Sequence, residues 1–364
     1  VVNIFGISIG EKDIVDGENV SDIDLSISKI GSMIAGSGGI YLDSARTLDV
    51  GDVVTSGDLD VRITSGDLIF SSDQTVVSAS LEVKQGSLRQ VSGTTLETTG
   101  VSGSANSGDL DINVMRDVTF STMLVNSGNV TLVSELGSVL DGTLADTASL
   151  ENLVIHNGQL VEMSATQIGT HYEGGDINID ALDINSITAF EGGIFIGLTG
   201  RDEALTTIDT LTAIAEQSDV LITSGAGMLQ VNNANASDNL SLRAAGESGQ
   251  DSLLVGTARA GGNLALSSTV GNITQIENTD IIANSLGSVT ELSSGGDIIL
   301  VSATNDFDEL SVDSSKNLSA RDISNLKVFN INAVGNLSLT TAKQISLQDD
   351  TSITVGGDAA ISVS

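Results

Sequence analysis

Between Leu110 and Val114 the chain reads LDINV, with Leu110, Ile112 and Val114 apolar and Asp111 and Asn113 polar. Strict alternation sends successive side chains to opposite faces of a strand, so this run predicts a half-buried β-strand with the aliphatic residues inward. Leu337 and Leu339 with Ser338 between them repeat the arrangement. A short phrase precedes most such runs. It is GDLDV at Gly57, GDLIF at Gly66, GDLDI at Gly108, GNVTL at Gly128, GDINI at Gly175, GNLAL at Gly262, GNITQ at Gly271, GDIIL at Gly296 and GNLSL at Gly335. Glycine supplies a tight bend or a positive φ. Asn or Asp is expected to bond its own backbone in the turn.

The phrase recurs at two spacings. Gly57 to Gly66, Gly128 to Gly137, Gly262 to Gly271 and Gly287 to Gly296 are nine residues apart, and Asp109 to Asn129 and Asp297 to Asn317 are twenty. A strand of this length cannot bury its apolar face alone, whereas stacked copies bury it against their neighbours and pair every backbone group. The pattern therefore predicts an all-β fold, a parallel β-solenoid with coils of about 20 residues and a narrow aliphatic interior. About 18 coils fit the chain, a rod on the order of 85 Å at the usual strand spacing. The expected organisation is one continuous segment over 1–364, with irregular coils around 201–219 and 232–239. In the first of these, Leu205, Ile208, Leu211 and Ala215 have a spacing that also suits a helix, but the Thr and Ile content favours irregular coils. The second, NNANASDN from Asn232 to Asn239, reads as a protruding polar loop.

Composition sharpens this picture. The chain has 364 residues, 40 of them Gly, with no Pro, no Cys and no Trp, and only seven Phe and two Tyr. Proline has no N–H for a ladder and is excluded from strands paired on both sides, so its absence agrees with hydrogen-bonded strands nearly throughout. Without cysteine there is no disulfide framework, thiol nucleophile or thiolate-held metal. The 48 acidic against 14 basic residues give a net charge of −34. Such a surface repels nucleic acid and anionic lipid and attracts cations. No run of 18 apolar residues predicts a membrane-spanning helix. The start, VVNIFGISIG, lacks the features of a signal peptide, and the end, AAISVS, reads as an unfinished strand, so the expectation is an internal piece of a longer protein.

Several stretches carry a resemblance to a known family. GSVLDG (Gly137 to Gly142), SATQIGT (Ser164 to Thr170), GGIFIG (Gly192 to Gly197) and GNITQ (Gly271 to Gln275) resemble the repeats of very large bacterial surface proteins of the filamentous haemagglutinin type. The resemblance implies a right-handed parallel β-helix, export by two-partner secretion, and a role in adhesion and cell contact. That family's N-terminal secretion domain is not evident in these residues. Repeats of one texture host many roles, so the resemblance speaks to architecture more than to activity.

Paired carboxylates are the strongest candidates for chemistry: Asp58 with Asp60, Asp109 with Asp111, and Asp306 with Asp308 and Glu309. General acid–base work needs two carboxyls at a set distance in unequal surroundings. The competing reading makes the first Asp of each phrase a turn cap and the second a solvated outward residue. His156 and His171 are the only histidines, and neither has a His or Cys at ligand spacing, so both read as surface or turn residues. No catalytic, cofactor-binding or metal-ligating residue is assigned. GGDINIDAL at Gly174 departs from the calcium-binding solenoid repeat, although stacked acidic side chains leave bound calcium open.

The expected function is a structural and adhesive rod, extracellular or on a bacterial cell surface. Its partners would be a receptor on a host or neighbouring cell, or the chain itself, with divalent cations at its acidic faces, no nucleic acid and no membrane insertion. The alternatives are a self-assembling filament or sheath subunit and a polysaccharide-processing β-helix. The shortage of aromatic platforms counts against the enzyme.

Overall fold

The computed structural model describes residues 2–15, 18–21, 23–100, 108–143, 151–171, 175–199, 205–214, 218–246 and 250–363. The described residues contain no helix and form a parallel β-solenoid of about 14 turns with coils of about 22 residues. Two compact units, Val1–Asn185 and Ser186–Ser364, divide the chain.

In the first unit a coil is typically three short strands separated by corners, although Leu48–Thr55 serves two faces as one longer strand. One face stacks Ile40–Ser44, Leu59–Ile63, Ala79–Val83, Leu110–Val114 and Val130–Ser134, each parallel to the next. A second face stacks Leu68–Phe70, Leu88–Gln90, Val118–Phe120 and Val139–Asp141. A third stacks Gln74–Val76, Thr95–Thr98, Thr122–Val125 and Leu153–Ile155. Alternation works as the sequence predicts: Leu110, Ile112 and Val114 are buried, while Asp111 and Asn113 are exposed. Three phenylalanines, Phe70, Phe120 and Phe307, are among the largest fully buried side chains, and aliphatics make up most of the remaining core. Each buried Leu, Ile or Val contributes about 1.5–3 kcal/mol.

The second unit uses longer strands. Leu205–Ala213, Met228–Ala236 and Asp251–Ala260 run parallel and in register. Each bends within its length. In Met228–Ala236, Leu229 and Val231 point inward, Asn232 and Asn233 both face away from the core, and Ala234 and Ala236 point inward again. The opposing face stacks Val220–Ser224, Leu240–Ala244, Leu264–Ser268 and Val289–Ser294.

Two expectations need correction. The coils number about 14, not about 18, because they are longer than 20 residues. Leu59 pairs with Ala79, but Ala79 pairs with Leu110 and Val130 with Leu160, so extra residues are accommodated between strands without breaking the ladder. Within the stretch 201–219 the structure describes the strand Leu205–Ala213, which bends at Asp209 and Thr210; residues 201–204 and 215–217 lie outside the described residues. The polar run from Asn232 is not a protruding loop. It lies in a strand through Ala236, and Asn232 and Asn233 occupy the bend.

The recurring Gly-Asx phrase is also explained differently from a self-bonded turn. The Asx side chain reaches the next coil. The Asp109 carboxylate accepts the Asn129 N–H at 2.8 Å. Asn239 accepts the N–H of Asn263 at 2.9 Å, and Asn263 that of Val289 at 2.9 Å. A longer ladder runs from Asn272 to the N–H of Asp297 (2.8 Å), Asp297 to Asn317 (3.2 Å), Asn317 to Asn336 (2.8 Å) and Asn336 to Asp358 (2.9 Å). Corner backbone that would otherwise lack a partner is satisfied in this way. The preceding glycine is required by closeness: a Cβ at Gly128 would overlap the Gly108 carbonyl of the coil before it. Gly128 adds a φ of +132°, which other residues rarely adopt.

Candidate functional site

The paired carboxylates are divided between structural roles. Asp58 accepts a hydrogen bond from the Ser78 hydroxyl of the next coil at 2.7 Å. Asp60 sits opposite Tyr41 across the ladder. Burial of the Tyr41 phenol, and then the charges of Asp58 and Asp60, push its pKa up. Asp109 belongs to the Asx ladder. Asp111 faces outward opposite Thr131. Partial desolvation between coils raises its carboxyl pKa, the Thr131 hydroxyl opposes the rise and the Asp109 charge adds to it.

The third cluster is likewise engaged. Asp306 accepts from the Asn284 amide at 2.7 Å, and Asp308 from the Gly287 N–H at 2.6 Å. The buried Glu309 pairs with Lys327 at 2.6 Å, and that ammonium lies 5.5 Å from the Phe329 ring centre. His156 meets the Asn126 side-chain oxygen at 3.0 Å on the surface, and His171 is also exposed. Among the described residues no group of three or more His, Cys, Asp or Glu side chains is arranged to hold a metal ion.

Sequence reasoning missed the most buried carboxylate among the described residues. Asp322 is the last residue of Leu318–Asp322 and is 1% exposed. It accepts from the Phe307 N–H at 2.9 Å, the Ser324 N–H at 2.9 Å and the Thr341 hydroxyl at 3.2 Å. Burial pushes its pKa up; these three bonds oppose the rise, and the Asp306 charge reinforces it. The signal in the sequence was the alternation itself, since Leu318, Ala320 and Asp322 share one face.

Two arginine-centred depressions were missed as well. One, of about 430 Å3, is lined by Arg243, Ser267, Ser268, Ser293 and Ser314. Arg243, Ser267, Ser293 and Ser314 stand in one outward row, each on the coil after the last. Ser268 is 3% exposed, and its hydroxyl has no hydrogen-bond partner. The other, of about 580 Å3, is lined by Glu277, Asn278, Val301, Ser302, Thr304 and Arg321. Asn278 is the sole non-glycine residue with positive φ among the described residues, at 61°. The chemistry open to both depressions is recognition of an anion by a guanidinium among hydroxyls; neither gathers an acid–base pair at hydrogen-bonding distance. No protein-family model, no curated protein and no solved structure matches the chain.

Proposed function

We propose that this chain is a structural and adhesive segment of a large bacterial surface or secreted protein, of the filamentous haemagglutinin type, and that it is not an enzyme. The observation that carries the reading is the use made of its acidic side chains. Asp109, Asp219 and Asp297 accept backbone N–H groups of the following coil, and Asp306, Asp308 and Glu309 are held by Asn284, Gly287 and Lys327. Residues placed by the repeat serve the stack, which leaves the outward rows to meet partners. The net charge of −34 gives divalent cations a role in bridging or screening those rows. The reading places the protein outside the cell, with a cell-surface receptor as partner.

Self-association is the second reading. Phe5, Ile34 and Val54 form one outward row across three strands and are 67%, 46% and 50% exposed. An apolar row of this kind favours lateral packing.

Beads coated with the purified chain should attach to cells more than protein-free beads do. Chelation should weaken attachment while the far-ultraviolet circular dichroism stays unchanged. Equal attachment of coated and bare beads would sink the adhesive reading. Release of unsaturated or reducing sugar from acidic polysaccharide, abolished by Asp58→Asn or Asp109→Asn, would establish an enzyme instead.

A further inference from the structure

The second unit carries a groove that stacking alone does not account for. At one corner the strands Asn272–Gln275 and Ile281–Ala283 are separated by a short insertion. One coil on, Ile298–Leu300 and Asp306–Phe307 are separated at the same corner. The two insertions are tied together by the side-chain amides of the half-buried Gln275 and the fully buried Asn305. The Gln275 amide donates to the Asn305 side-chain oxygen at 2.7 Å, and the Asn305 amide donates back at 2.9 Å. Gln275 also donates to the Thr279 carbonyl and accepts the Ser302 N–H, while Asn305 accepts the Ile281 N–H. The insertions are thereby held in place before any ligand arrives, which lowers the ordering cost of binding.

Arg321 stands beside them, one coil further along. It faces outward opposite Thr340, and it also borders a neighbouring depression of about 490 Å3 with Ser319, Ser338 and Thr340. Its guanidinium has no ion pair or hydrogen bond among the described residues, although the chain has 48 acidic side chains. Guanidinium groups bind carboxylates through two parallel hydrogen bonds. Around Arg321 the groove offers the Ser302 and Thr304 hydroxyls, which lie 3.0 Å apart, and the Glu277 carboxylate, an acceptor for hydroxyl donors. Val301, 54% exposed, and Ala303 supply an apolar strip. A hydroxyl-rich ring with C–H faces and one carboxylate matches this set. The size suits one or two rings, being within the roughly 300–1,000 Å3 range of small-molecule sites. Overall charge narrows the class further. A field of −34 disfavours a dense polyanion, whereas a single carboxylate per ring meets Arg321 with little added repulsion.

We propose that this groove binds a saccharide of the uronate type, with its carboxylate on Arg321 and its hydroxyls on Glu277, Ser302 and Thr304. This goes beyond the adhesive reading by naming a site and a ligand class, and it does not depend on cell attachment.

The test uses the whole 364-residue chain, titrated in solution with trigalacturonate by calorimetry. Its methyl ester and a heparin-derived oligosaccharide are titrated in parallel. Saturable binding of trigalacturonate is expected. Loss of a charge-assisted pair in Arg321→Gln should weaken it about tenfold or more, as should methyl esterification. Val301→Glu, which leaves Arg321 intact, should weaken it similarly by like-charge repulsion. Arg243→Gln, in the other depression, should change it by less than about twofold. Circular dichroism of each variant checks that the fold is kept. No saturable binding of trigalacturonate would overturn the proposal. So would equal binding by Arg321→Gln, equal binding of the ester, or tighter binding of the heparin fragment. Failure here with attachment intact leaves the adhesive reading standing. Binding without attachment does the reverse.

Discussion

At the scale of single residues, Asp322 is the side chain whose surroundings differ most from those of the other carboxylates. It is buried among three donors and carries no salt bridge among the described residues. Removing it in Asp322→Ala strands the Phe307 and Ser324 N–H groups in the interior and should cost about 1–3 kcal/mol in denaturant unfolding. Its pH dependence follows from the raised pKa. A group that holds its proton more tightly in the fold contributes stability that is full below its unfolded value, about 3.9, and lost as pH rises through the folded value. The wild type should therefore gain stability relative to Asp322→Asn as pH falls through the folded value towards the unfolded one. A stability difference between the two that does not vary over that range would contradict the assignment.

At the scale of elements, inside and outside decide the effect of a charge. Leu264 is fully buried between the strands Leu240–Ala244 and Val289–Ser294. Leu264→Asp places an unpaired charge between two coils and should cost several kcal/mol, about 3–5 in thermal unfolding. Ser338 faces outward on Leu337–Thr341, and Ser338→Asp should change stability by less than about 1 kcal/mol. Equal losses from the two substitutions would count against the assignment of faces. The alternation that fixes these faces was legible in the sequence, and so was the stacking. The bends were not. In Leu205–Ala213, Ile208 and Leu211 are both buried, with Asp209 and Thr210 facing away from the core between them. The corner inserts one extra outward residue and gives an i, i+3 spacing that imitates a helix. The Asx ladder was hidden for another reason. Its donor lies a full coil away, so the local sequence around Asp109 or Asn317 shows only a turn residue. Arg321 and Glu277 were equally invisible as a pair, because only the stacking brings their coils together.

At the scale of the whole molecule, the Asx ladder has a direction. In every rung from Asn272 to Asp358 the side-chain oxygen belongs to the earlier coil and the N–H to the later one. A folded coil thus holds out a side-chain acceptor already in position for chain that follows it in sequence, while towards the preceding chain the same rungs offer backbone N–H and C=O groups and, at Asn317, a side-chain amide donor. The stack is a one-way template: growth towards the C-terminus adds each coil to a prepared edge, and growth towards the N-terminus must order coil and acceptor together. A chain with nearest-neighbour energetics can start folding anywhere, but this asymmetry biases where it continues. Pulse-labelled hydrogen exchange during refolding should find the amides of Asp297, Asn317, Asn336 and Asp358 protected in that order. Protection gained in the reverse order would mean that the ladder records the fold without guiding it. If the order holds, a polypeptide appearing N-terminus first, from a ribosome or through a narrow pore, finds each new coil's partner already waiting, and its own completed length becomes the chaperone for what comes next.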